Sequence, residues 1–366
     1  MRISYSSQLP TYSMFIQPSQ LQELRRDIWC DDPIPALLRA GTMRYDVDLA
    51  YRGSHIREYP KKSYHLVFIQ PKYFNGAREL HLNGEYRDAS LIRNKLSLDF
   101  FHSIGNLAPE AQHVELRING AHMGIYLALE SVDSQFLKKR GLPDGAIYYA
   151  INDNANFSLL SPIEQDAKKQ LESGYERKHG TDEDDADLRK LIYKINTIPR
   201  SDFGLEIAEY INVDKYLRWL AGVVCTQNFD GFIQNYALYR NSSTGQYEII
   251  PWDYDATWGR DCNGVDMPYD YIPITGYNTL TARLLDVPRY RLHYKSLMTE
   301  ILETKFTLNQ LEPIIQDLYD CLRPHLTFDP YAKDAILEFE EELDVILGYI
   351  DDRNHYLREH LSDLNV

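Results

Sequence analysis

From residue 45 to residue 130 the apolar positions recur at every second residue in short runs, with one interruption. YDVDLAYRG (45–53) and KSYHLVFIQ (62–70) both alternate, and the polar stretch between them, with Gly53 and Pro60, reads as a turn. RELHLN (78–83) is a third short strand. The period then changes. In DASLIRNKLSLDFFHSIG (88–105) Ile92, Leu96 and Phe100 repeat at four-residue spacing, Asp88 is placed to cap, and Gly105 follows the end. That segment predicts a helix. Alternation returns in HVELRI (113–118) and MGIYLALE (123–130), joined through Asn119-Gly120, a strong hairpin signal. Upstream of these runs, a short helix fits residues 18–28.

Beyond residue 130 the pattern is different. A helix is expected at 133–141, and from about residue 186 the chain reads as mostly helical, including a helix at 213–228. The exception is a ribbon, YALYR (236–240) and YEIIPWD (247–253), joined by NSSTGQ. The last hundred residues read as helices, most clearly LEPIIQDLYDCLRPHL and residues 335–362. This order predicts an α+β chain with a mainly β small lobe (1–132) and a mainly α large lobe (133–366).

Composition narrows the function classes. The 366 residues are 44% hydrophobic and 25% charged, ordinary for a globular protein. No apolar run is long enough to cross a bilayer, and the N-terminal stretch lacks a basic start followed by an apolar block, so synthesis in the cytosol is expected. Cys30, Cys225, Cys262 and Cys321 lie far apart without a CxxC pair and read as reduced thiols. The 11 histidines include no HExxH, and His355 and His360 do not share a helical face. A net charge of −15 argues against nucleic acid and anionic membrane as main partners and favours a basic macromolecular substrate. The acidic run TDEDDAD (181–187) reads as a solvated helix start.

The candidate chemistry lies around the ribbon. NFDGFIQNYALYR (228–240) holds an acid, Asp230, and an amide five positions on, Asn235. IIPWDYDATWG (249–259) holds Asp253 and Asp255. Phosphoryl transfer from ATP needs an acid to orient the acceptor hydroxyl, and an amide oxygen and a second carboxylate to hold magnesium. Asp230 in the first role, with Asn235 and Asp253 in the second, reproduces the spacing used by protein kinases. Asp255 either binds a second metal or orients the first. There is no HRD, and the DFG at Asp202-Phe203-Gly204 precedes Asp230 where a metal-binding DFG should follow it, so it reads as a chance match in a helix start.

The small lobe offers partners for the nucleotide. Gly53-Ser54 places backbone N–H groups for phosphates, Lys62 or its neighbour Lys61 supplies a cation, and Arg93 on the helix is a further basic candidate. For each basic residue the alternative is plain surface exposure. Glu130-Ser131-Val132 is the expected hinge facing the adenine edge, and Trp252 and Tyr149 are candidates for lining or stacking on the base, with core packing as their alternative.

RGSHIREYPKKSYHL, LIRNKLSLDFF, INGAHMGIYLALESVD, FDGFIQNYALYR and IPWDYDATWG together resemble the spore coat protein H (CotH) family, over roughly residues 8–362. The resemblance implies an atypical protein kinase that uses ATP and a divalent metal, Mg2+ or Mn2+. It further implies that Asp230 is catalytic, that Asp253 binds metal, and that the acceptors are serines of basic, serine-rich spore coat proteins. A mother-cell cytoplasmic protein that later joins the spore coat is expected. Two other readings compete. One is a coat component whose kinase-like fold serves only assembly. The other is a metal-dependent glycosyltransferase using DYD (253–255), which the clustered strands disfavour because that chemistry commonly rides on alternating βα units.

Overall fold

The structure, a computed structural model, describes residues 8–69 and 73–365. Seven strands close into a barrel: β1 (Thr11–Phe15), β2 (Ile34–Ala40), β3 (Met43–Tyr51), β4 (Tyr64–Phe68), β5 (Glu79–Asn83), β6 (Ala111–Ile118) and β7 (Ala121–Glu130). The order around the barrel is β1-β2-β3-β4-β5-β7-β6. All neighbours run antiparallel except β1 and β6, whose parallel pairing closes the ring. Inward positions follow the alternation: Val47, Leu49, Leu66, Leu82, Val114, Leu116 and Tyr126 form a core with Met14 and Leu38. Asn119 and Gly120 at the β6–β7 turn have φ of 50° and 86°, the left-handed pair a tight hairpin requires. Helix α1 (Pro18–Arg26) packs Leu24 against the barrel.

The five strands expected between 45 and 130 are present, with Gln70 of the expected strand 62–70 outside the described residues. The barrel itself was not expected, because β1 and β2 carry no clean alternation and β2 contains Pro35. The helix expected at 88–105 begins later, as α2 (Arg93–Ser103). Residues 88–92 form a turn in which Asp88 accepts hydrogen bonds from Ser90 N at 3.0 Å and Arg93 N at 2.9 Å, so the acid serves the helix start from five residues away.

After β7, α3 (Ser134–Lys139) starts on Asp133, whose Oδ1 accepts from Gln135 N and Phe136 N at 2.8 and 3.0 Å. Strand β8 (Ile147–Ala150), the short pair β9 (Leu160–Ser161) and β10 (Asp166–Ala167), and β11 (Tyr175–His179) follow, none of them anticipated. Helix α4 (Asp182–Thr197) opens with a Thr181–Asp184 capping box, so the acidic run is a helix start. The DFG triplet lies in α5 (Arg200–Glu206), with Phe203 buried. Helix α6 (Val213–Thr226) leads to the ribbon β12 (Tyr236–Arg240) and β13 (Tyr247–Pro251). The ribbon joins a four-stranded antiparallel sheet in the order β11-β8-β12-β13. Helices α7 (Thr279–Leu285), α8 (Pro288–Thr304), α9 (Leu308–Leu326) and α10 (Ile336–Glu359) complete the chain.

Helix α6 is the axis of the larger core: Tyr216, Trp219, Leu220, Val223 and Val224 are buried with α2, α8, α9 and α10 around them. Among the described residues no helix is long and apolar enough to cross a membrane, and all four cysteines are unbridged, with only Cys262 exposed. The barrel is gripped by the α9–α10 connection. Asp329 there is fully buried, accepts from Ile125 N at 2.7 Å, caps Tyr331 N and Ala332 N at 2.8 and 3.2 Å, and pairs with Lys61 Nζ at 3.5 Å. Gly124 makes the approach possible: at φ +97°, its Cβ would fall 2.4 Å from Asp329 Oδ2.

Candidate active site

The open end of the β12–β13 ribbon assembles the acids. Tyr236 pairs with Pro251, and Trp252 N donates to Asn235 O at 3.0 Å, which sets Asn235 beside the start of the Trp252-Asp253 segment. Upstream, Gln227 ends α6 in the left-handed conformation (φ 59°), and Asp230 opens a single 3-10 turn, its carbonyl accepting from Ile233 N and Gln234 N. Asn235, Asp253 and Glu85 also adopt left-handed backbones, with φ of 57°, 60° and 48°. Non-glycine residues in this region are strained, and such strain collects at functional sites.

A carboxylate that the sequence reading did not single out joins the group. Glu85, in the β5–α2 connection, is buried. Its Oε1 accepts from Asn94 Nδ2 at 3.2 Å, and Asn94 Oδ1 accepts from Tyr254 N at 3.2 Å. That bridge fastens Glu85 to the Asp253–Asp255 segment. Burial, then the negative charges of Asp255, Asp88 and Asp253, push Glu85 well above the usual carboxylate range. Burial, then Asp253 and Asp88, push Asp255 up to about 7. Asp230 is raised by burial and by Asp153 and Asp253. Each of these acids is therefore held in its charged form less readily than in water, through burial first and its acidic neighbours second.

The donors gathered here suit a divalent cation in kind: they are hard oxygens, the ligands magnesium prefers, and Glu85 Oε2 is buried and, among the described residues, has no hydrogen-bond partner. Asp253, Asp255 and Glu85, with the amide of Asn235 nearby along the chain, are the residues that would hold it. The signal for Glu85 lay outside regular structure, in a loop with no period to read.

The basic and aromatic candidates are placed differently. Arg93, a basic candidate for the phosphates, is tied into the protein interior. It is 1% exposed, with Nη1 on Asp88 Oδ1 at 2.6 Å, Nε on Thr257 O at 2.9 Å and Nη2 on Glu342, so its donors are taken by protein. Lys61 is buried against Asp329. Lys62 Nζ donates to Arg57 O within the 53–62 loop, where Ser54 is exposed. Tyr149 stacks on Trp252 with ring centres 5.0 Å apart, and its hydroxyl accepts from Val132 N at 2.8 Å. The expected hinge N–H of Val132 thus serves Tyr149 rather than an adenine edge. Beside this stack the structure brings Arg52, which sequence reasoning passed over: its guanidinium lies 5.5 Å from the centre of the Trp252 ring and donates to Asn83 Oδ1.

Two cavities flank the acids. One, of about 320 Å³, is lined by Asp230 with Phe229, Asp261, Cys262, Asp266 and Tyr271. The other, of about 530 Å³, is lined by Glu85 and Asp88 with Lys61, Arg87 and Arg260.

Mixed α/β architecture and this acid–amide–acid arrangement define the class in which relatives are found. The family described as CotH kinase protein matches residues 49–357, and the chain belongs to that family. The chain is 54% identical over 358 residues to the inner spore coat protein H of Bacillus subtilis (strain 168), covering 98% of this chain and 99% of the relative. It is 28% identical over 305 residues to an inner spore coat protein H-like protein of the same organism, covering 83% and 87%. Invasin CotH7 of Rhizopus delemar is 22% identical over 275 residues, covering 67% of this chain and 43% of the relative. Among solved structures, the Helicobacter pylori proinflammatory kinase CtkA covers 76% of this chain and 95% of its own at 11% identity, with a TM-score of 0.31.

Proposed function

We propose that the protein is an ATP-dependent protein serine kinase of the spore coat, with a nucleotide site between a barrel lobe (1–132) and a helical lobe (133–366). The observation that carries the reading is the buried, unpartnered Glu85 oxygen among Asp88, Asp253 and Asp255, with Asp230 alongside, in a member of this family. A magnesium or manganese ion held there would offset the charge on the phosphates of ATP. Asp230, raised but half-buried on a 3-10 turn, orients the acceptor serine and takes its proton as the hydroxyl oxygen bonds to the γ-phosphorus of ATP and the bond from that phosphorus to the β–γ bridging oxygen breaks, releasing ADP. The cavity it lines carries Asp261 and Asp266, which suits basic residues around that serine. Trp252 and Arg52 are the ring and cation placed to meet the nucleotide. The relative's name, inner spore coat protein H, supports a coat location, and basic, serine-rich coat proteins are the acceptors proposed here.

The test is transfer of labelled phosphate from ATP, with magnesium or manganese, to a basic serine-rich peptide. Wild type and Asp230→Asn run side by side, with nucleotide binding measured on both. Transfer by wild type, lost in a variant that still binds ATP, is the expected result. Absence of metal-dependent ATP binding by either protein would instead favour a coat component without catalysis.

A further inference from the structure

One group of metal-ligating side chains has no role in the chemistry above and lies beside it, His81 meeting the edge of Trp252 with ring centres 5.1 Å apart. Strands β4 and β5 pair with His65 opposite His81 and Val67 opposite Glu79. Tyr64, Leu66, Phe68, Leu80 and Leu82 point into the barrel core, so alternation sets His65, Glu79 and His81 together on the outer face. One donor atom from each lies within 4.8 Å of the others. His65 Nε2 is 2.8 Å from Glu79 Oε2, and the two imidazoles stack with centres 4.7 Å apart. His81 is 7% exposed, yet among the described residues neither of its ring nitrogens has a hydrogen-bond partner. Buried polar groups are rarely left unpaired, and an unpaired imidazole nitrogen is a ready metal ligand.

We propose that His65, Glu79 and His81 form a site for a divalent transition metal of the zinc or cobalt class, distinct from the oxygen-lined cluster at Asp253. Two imidazoles and one carboxylate are the donor set of such ions, whereas magnesium seeks oxygen. Ligand bonds of about 2.0–2.1 Å in a tetrahedron need neighbouring donors about 3.3 Å apart, so the 2.8 Å His65–Glu79 contact has only to open slightly. A competitor is built in. Lys178 Nζ, on β11, sits 2.5 Å from Glu79 Oε2, where its ammonium holds the place of a cation. The metal must displace that ammonium. This inference does not rest on the kinase reading.

The experiment titrates Co2+ into the full-length protein at neutral pH with excess Mg2+ present, reading the visible absorption of the bound ion. Expected are saturable bands that persist in Asp253→Asn, weaken at least tenfold in His65→Ala and His81→Gln, and tighten about tenfold in Lys178→Met. Circular dichroism melts accompany each variant, and Lys178→Met keeps the test open if a histidine variant fails to fold. Absence of bands in wild type, affinity unchanged in both folded histidine variants, no tightening in Lys178→Met, or loss in Asp253→Asn equal to that in His81→Gln would each overturn it.

Discussion

Asp230 and Arg93 are both charged residues near the ribbon, and their surroundings separate them. Asp230 is half-buried, has no basic partner on its carboxylate among the described residues, and borders a cavity. Replacing it by asparagine keeps shape and removes the proton acceptor, so phosphate transfer should fall by about 10²–10⁴-fold while ATP binding changes little. A kinetic and binding comparison on the same preparations checks this. Arg93 is instead fixed between Asp88 and Glu342, and Arg260 also reaches Glu342 at 3.0 Å. Breaking such a buried network strands charge in a place water cannot reach. Arg93→Met should lower unfolding free energy by about 3–5 kcal/mol, measured by urea denaturation, and leave the KM for ATP of the folded fraction unchanged. The sequence shows both residues equally well. What it does not show is which other side chains surround each one, and that decides ligand from brace.

Elements meet through a few buried polar contacts, and two of these have measurable consequences. Asp329 satisfies three backbone N–H groups and Lys61 while joining the α9–α10 connection to the barrel. Asp329→Ala leaves all of them unpaired in the interior, so a loss of about 3 kcal/mol or more is expected from denaturant unfolding. His113 on β6 donates from Nε2 to Leu91 O, 2.8 Å away, where the turn before α2 meets the barrel. Burial first, and the nearby Lys95 and Lys61 charges, lower its pKa from 6.5 to about 4. The unfolded chain therefore takes up its proton first as pH falls. Stability should drop between about pH 6.5 and pH 4, by about 3 kcal/mol from this one group, and His113→Gln should flatten the melting profile across that window. Local pattern made the strands of 45–130, the hairpin turn and the long helices legible, because alternation and four-residue spacing are set by neighbours in sequence. Barrel closure was not legible. It depends on β1 lying parallel to β6, about a hundred residues on, with a register that no short window contains. Glu85 was missed for a related reason: an acid in an irregular loop has no period, and its importance comes from Asn94 and Asp255 being brought to it.

The charge of the whole molecule acts at longer range than any of these contacts. At −15, the field of the protein would draw the proposed basic acceptor toward it and repel the proposed anionic metal–ATP complex. Both fields shrink as salt is added, since the screening length falls from about 10 Å at 0.1 M to about 3 Å at 1 M. The two substrates should therefore respond in opposite directions. The KM for a basic serine-rich peptide should rise with ionic strength, while the KM for ATP should stay level or fall, until salt competes for the phosphate site itself. The turnover number should move little, because Glu85 and Asp88 are buried and poorly screened and, in the proposed mechanism, Asp230 is already at the acceptor when chemistry occurs. Steady-state kinetics across a salt series, with each substrate varied in turn, separates these terms. A neutral serine peptide supplies the control: its KM should lack the salt dependence, which would place the attraction in the acceptor's charge. Equal dependence for neutral and basic peptides would remove long-range steering from the account of how this acidic protein selects its acceptor.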